Sequence, residues 1–188
     1  MATKKQRILQ ISKKLGLSHI GSNLSILPVL EEIDSIKRPG DLVLLDGAHA
    51  HLAHLMFTNF NHAEESIENY GIHCDRRAGC DVSGGSLGHA GGIGIGLALA
   101  NRLIDIYVIF SDGSMQEGSN WEALRIKKEL NLKNLKCYFN FNGYSALSKI
   151  DVDDLSGKVL AFCPDAHIRL TQNTKKYDGV KGHYIKAL

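Results

Sequence analysis

Ile106-Tyr107-Val108-Ile109-Phe110, continued by Ser111-Asp112-Gly113-Ser114-Met115-Gln116-Glu117-Gly118, is the stretch whose reading decides the fold. A short unbroken apolar run reads as a strand buried on both faces, and the Asp-Gly behind it marks where the chain turns. The amphipathic stretch from Asn120 to Leu130 follows, and Leu135-Lys136-Cys137-Tyr138-Phe139 repeats the buried-strand signal, completing a β-α-β unit. Working outward, Leu42-Val43-Leu44-Leu45 after Pro39-Gly40 reads as another strand, with a helix expected from about His49 to Phe57. His167-Ile168-Arg169-Leu170-Thr171 is a fourth strand candidate. Nearer the start, Ile8, Leu9, Ile11 and Leu15 recur at helical spacing. Leu27, Leu30, Ile33 and Ile36, with Pro28 near the start, predict a second helix. Strands alternating with helices predict an α/β fold, a mainly parallel sheet covered by helices on both faces. Ligands of such sheets bind beyond the carboxyl ends of the strands, so the loops after Phe110 and Phe141 are the ones to read for chemistry.

The 188 residues fit one domain, 1–188. With 22 basic and 20 acidic side chains, neither sign forms a long block, and nothing points to nucleic acid or membrane. Cys74, Cys80, Cys137 and Cys163 form no CxxC pair, so reduced structural thiols and a cytoplasmic location are expected. The basic start Met-Ala-Thr-Lys-Lys-Gln-Arg does not run into an apolar core and is not read as a signal peptide.

An Asp at a strand's end beside a Gly suits Mg²⁺, a hard cation that takes oxygen ligands, although the same dipeptide is also an ordinary turn. Asn142, in Asn140-Phe141-Asn142-Gly143-Tyr144, follows Asp112 by 30 residues. A crossover of that length sets two parallel strands side by side, so both side chains emerge at one edge and could share an ion. Seven glycines between Gly84 and Gly96, leading into the apolar run from Ile93 to Leu103, are poor helix formers and answer either close approach or a flexible loop before a tightly packed helix.

The Asp-Gly and Asn-Gly pair is similar to the thiamine-diphosphate fingerprint, and Met115-Gln116-Glu117-Gly118-Ser119-Asn120-Trp121-Glu122-Ala123 resembles its transketolase version. The resemblance implies that Asp112, Asn142 and the backbone carbonyl of Tyr144 bind Mg²⁺, with Gly113 at the cofactor and Glu117 near a subunit interface. Ser111 stands where the family usually has Gly. Ser83-Gly84-Gly85-Ser86-Leu87-Gly88-His89 resembles the transketolase Gly-Ser-Leu-Gly loop, which implies cofactor contacts at Gly85 and Leu87. His19 and His49 resemble the family's Gly-His-Pro-Gly (or Gly-His-Ile-Gly) and Gly-His-Ala segments, with Ser18 and Ala48 in place of the glycines, and His73 resembles a substrate-facing histidine, which implies catalytic roles for all three. Imidazoles suit carbonyl addition because they relay protons near neutral pH. His183 resembles a late family histidine, and Arg76 and Arg77 are either sugar-phosphate ligands or a solvated basic turn. His51, His54, His62, His89 and His167 are read as structural.

Thiamine diphosphate supplies the difficult chemistry of such an enzyme, and the protein supplies position and electrostatics. In the family a Glu on a pyrimidine-binding domain activates the cofactor. The resemblance reaches to near Leu188 without that domain, which implies a separate transketolase C-terminal-type subunit and an α2β2 heterotetramer with sites at the junctions. The expected reaction is transfer of a two-carbon ketol unit from a ketose to an aldose. Two alternatives stand beside it: the α subunit of a 2-oxo acid dehydrogenase E1 component, and a non-catalytic subunit of the same fold.

Overall fold

The computed structural model describes residues 2–47, 50–171, 177 and 179–186. Four strands, β1 (Leu42–Leu45), β2 (Ile106–Ser111), β3 (Leu135–Phe141) and β4 (His167–Leu170), form one sheet in the order β1-β2-β3-β4, and every pairing is parallel. Three helices, α1 (Lys4–Leu15), α2 (Ile20–Ser25) and α3 (Leu27–Ile36), precede β1. Between β1 and β2 come α4 (His51–Thr58), α5 (Ala63–Tyr70) and α6 (Ala90–Ala100). The β2–β3 crossover is α7 (Gly118–Glu129), the β3–β4 crossover is α8 (Val152–Phe162), and α9 (Gly179–Tyr184) follows β4.

Alternation along β2 sorts the two cores, because successive side chains of a strand point to opposite faces. Tyr107 and Ile109 pack with Val43, Tyr138 and the apolar faces of α1, α3 and α4. Ile106, Val108 and Phe110 pack on the other face with Phe139 and Phe141 against α6, α7 and α8. Helices thus cover both faces, as a buried parallel sheet requires.

The strands lie where their apolar runs predict, with β3 two residues longer and β4 ending at Leu170. Thr171 N still donates to the Phe141 carbonyl at 2.8 Å, so the ladder outlasts the strand. His167, Arg169 and Leu170 are exposed, which makes β4 an edge strand rather than a buried one. Helix α4 begins two residues later than expected, at His51. The apolar run expected to open at Ile93 forms α6 from Ala90, and two of its glycines explain how. A Cβ at Gly94 would stand 2.6 Å from Val108 Cγ2, and one at Gly91 would stand 2.9 Å from Ala123 Cβ. Only bare backbone lets α6 lie this close to β2 and α7. Among the described residues no helix is long and apolar enough to cross a membrane.

Candidate active site

The carboxyl ends of β1, β2 and β3 open into a cleft whose empty volume, open mouth included, is about 800 Å³. Asp46 and Gly47 follow β1, Ser111, Asp112 and Gly113 end β2, and Asn140, Asn142 and Tyr144 come from β3 and its loop; all line this cleft.

Asp112 is fully buried, yet among the described residues it joins no ion pair. Its Oδ2 accepts from Asn142 N at 2.8 Å and its Oδ1 from Gly143 N at 3.1 Å, so the strand pairing sets the Asn-Gly turn directly against the carboxylate. Burial pushes its carboxyl up to about 6, only partly opposed by those two N–H groups. A buried carboxylate with neutral partners alone invites a cation. Asn142 Oδ1 accepts from Tyr144 N at 3.1 Å, and Gly143 adopts the left-handed φ of 88° that the turn needs. Oxygen is the only donor atom these groups offer, which fits Mg²⁺. Ser111, in the place of a usual glycine, turns its hydroxyl back to accept from Ser114 N at 3.2 Å, while Ser114 Oγ accepts from Ser111 N at 2.8 Å.

Sequence reasoning passed over Asp46, whose buried carboxylate organises the glycine-rich loop. It accepts from Gly88 N at 3.1 Å, His89 N at 3.0 Å and Ala90 N at 2.9 Å, and also from the Asn120 side-chain amide. The first N–H groups of α6 have no partners within their own helix, and a carboxylate from β1 supplies one. The signal was present in an Asp directly after a buried strand.

Leu87 lines the cleft, and its side chain packs over Gly47, where a Cβ would lie 2.2 Å from Leu87 Cδ2. Gly85 instead abuts His73; a Cβ there would be 2.5 Å from His73 Nδ1. Glu117 is exposed at the start of α7, outside the cleft lining.

His19 adopts a left-handed backbone, φ 60°, and such strain in a non-glycine residue gathers at functional sites. Its ring lies 4.2 Å from that of His183, edge to face, and Ser18 Oγ sits 2.7 Å from its Nδ1. The His19 N–H donates to the His183 carbonyl at 3.1 Å. Burial, then the neighbouring His183 and His73, lowers His19 to about 4. The fold therefore gathers His19, His73 and His183, the last of which lines the cleft. His49 lies outside the described residues. The Arg77 guanidinium pairs with Asp75 at 2.7 Å and stacks on Tyr70, so it is engaged locally rather than at the cleft. Arg76 is exposed.

No protein-family model matches the chain. It is 33% identical over 116 residues to an uncharacterized transketolase family protein of Sinorhizobium fredii, covering 53% of this chain and 42% of that one. It is 32% identical over 155 residues to the 6-deoxy-6-sulfo-D-fructose transketolase subunit of Clostridium sp. strain MSTE9, covering 69% of this chain and 56% of that one. The chain thus spans about half the length of these relatives. Among solved structures, transketolase from Campylobacter jejuni superposes with a TM-score of 0.70 at 16% identity, covering 98% of this chain and 40% of that one. The fold is the thiamine-diphosphate-binding fold of transketolases. In sequence the chain is similar to transketolase family proteins, among them one named as a subunit.

Proposed function

We propose that this chain is the diphosphate-binding subunit of a transketolase-like enzyme that transfers a two-carbon ketol unit from a ketose to an aldose. The observation that carries the reading is the buried Asp112 carboxylate, without a cationic partner among the described residues and held against the Asn142-Gly143 turn. Asp112, Asn142 and the Tyr144 carbonyl would hold Mg²⁺, and Gly113, Leu87 and Gly85 belong to the loops that would receive the diphosphate. Thiamine diphosphate, when bound, supplies the carbanion chemistry at the carbonyl carbon.

The protein's own contribution is placement and proton handling. A cation at Asp112 would take the place of the proton that burial otherwise favours, so the carboxylate is set to ionise when metal arrives. His19, lowered to about 4, is a neutral imidazole near pH 7 and can accept or pass on a proton from a sugar hydroxyl. Ser18 orients that ring through Nδ1, and His183 and His73 crowd it. His49 is assigned beside them on its sequence context alone. Glu117, exposed at the head of α7, would face a second polypeptide carrying the pyrimidine-activating Glu. The relative named as a transketolase subunit supports this two-chain assembly.

The test is calorimetric titration of thiamine diphosphate with Mg²⁺ into the chain alone and into the chain co-expressed with its partner, wild type beside Asp112→Ala. Binding that needs the partner and is lost in Asp112→Ala, followed by ketol transfer between sugars, is the expected result. Absence of binding in both wild-type samples would overturn the reading.

A further inference from the structure

We propose that His51, His54, Cys74 and Cys80 form a Cys₂His₂ site for zinc, bracing the segment that leads into the glycine-rich loop. The metal-binding atoms of His54, Cys74 and Cys80 all lie within 4.8 Å of one another, and all three residues are buried. His54 Nδ1 and Cys80 Sγ are 3.6 Å apart. Bond lengths of about 2.3 Å to sulfur and about 2.05 Å to nitrogen give a tetrahedral edge of about 3.6 Å, so this spacing already matches one edge of a zinc site.

His51, which stands outside that converged trio, would supply the fourth donor. It is 1% exposed, and its Nδ1 lies 3.2 Å from the Gly71 carbonyl oxygen, an acceptor that requires the proton to sit on Nδ1. In a neutral ring Nε2 then carries a bare lone pair, and among the described residues this buried nitrogen makes no hydrogen bond within the usual geometry. A buried acceptor left unpaired is destabilising unless something binds it. Metal-ligating histidines have this same disposition, one ring N–H on a backbone carbonyl and the other nitrogen on the metal.

Local structure brings His54, Cys74 and Cys80 together and sets His51 on the same helix as His54. His51 and His54 are three residues apart on α4 and so share a helix face. Cys74 and Cys80 flank the 3₁₀ turn Arg76–Ala78, closed by bonds from Cys80 N to the Asp75 carbonyl at 3.2 Å and from Gly84 N to the Cys74 carbonyl at 3.0 Å. The thiolate is the ligand form, and thiolate with imidazole selects zinc over magnesium. Four protein ligands leave no open position, which makes the site structural rather than catalytic. None of the four lines the cleft.

Untagged protein purified with reductant and without chelator is expected to carry about one zinc per chain by elemental analysis. Replacing zinc with cobalt should produce the thiolate-to-cobalt charge-transfer band. Cys80→Ser should cut the intensity of that band by about half or more, His51→Gln should weaken zinc binding at least about tenfold, and exposed His62→Gln should leave both unchanged. Chelation of the wild type should lower its Tm, restored by zinc and not by magnesium. Wild-type protein that holds no zinc and takes up no cobalt with its thiols reduced would overturn the proposal. So would a Cys74–Cys80 disulfide found in protein handled without oxidant. Both are read on the wild type and do not depend on how the variants fold.

Discussion

Replacing Asp112 with Asn in the metal-free protein should change how stability responds to pH by an amount the structure sets. Burial lifts the Asp112 carboxyl from 3.8 to about 6. At about 1.4 kcal/mol per pKa unit, that shift corresponds to about 3 kcal/mol. Because the folded value lies above the unfolded one, the folded state holds the extra proton. The contribution of Asp112 is therefore fully present below about pH 4, declines as pH rises through about 6, and is gone near neutrality. Asn cannot ionise and does not follow this curve. Any cost of turning its amide toward Asn142 N or Gly143 N is the same at every pH. Urea denaturation of both proteins in chelator, from about pH 4 to about pH 7.5, should show the variant gaining about 2.4 kcal/mol on the wild type across that range. A difference that stays constant between pH 4 and pH 7.5 would mean that Asp112 is solvated or ion-paired, and the argument for a cation there would fail.

The glycines of α6 should divide by face: Gly94→Ala, whose Cβ would meet Val108 at 2.6 Å, should cost about 1–3 kcal/mol, measured by urea denaturation. Gly92→Ala and Gly96→Ala, with nothing within 4 Å, should each add about 0.5–1 kcal/mol in the isolated chain. In an NMR titration His19 should protonate near pH 4, and because burial is the larger cause, His183→Gln should recover only part of the shift. A midpoint near the ordinary 6.5 in the wild type would contradict the crowded, desolvated ring.

Much of the sheet was legible because Leu42–Leu45, Ile106–Phe110 and Leu135–Phe139 are apolar runs bounded by turn residues, a local signal that survives folding. Helices α5 and α8 went unread. For α8 the cue was Asp151, whose side chain caps Asp153 N and Asp154 N ahead of Leu155 and Val159. The adjacency of Asp112 to the Asn142 turn was readable from crossover length. By contrast, Asp46 takes its meaning from N–H groups more than forty residues away, and His183 joins His19 only through the far end of the chain. Gly85 illustrates the opposite limit: its motif suggests a ligand, whereas its nearest neighbour in space is the His73 ring. No regular spacing announced His51, His54, Cys74 and Cys80, because a helix and a turned loop converge there.

The bonds from Gly88, His89 and Ala90 to Asp46 bear on the order in which the molecule assembles. Those amides can be satisfied by Asp46 only after β1 has joined β2 and α6 has docked, a contact of long sequence separation that must form against the entropy of closing the intervening chain. The glycine-rich loop is thus tied to the end of β1 rather than to its own sequence neighbours. Its amide hydrogens should exchange with solvent through opening of that sheet rather than through fraying of the loop itself.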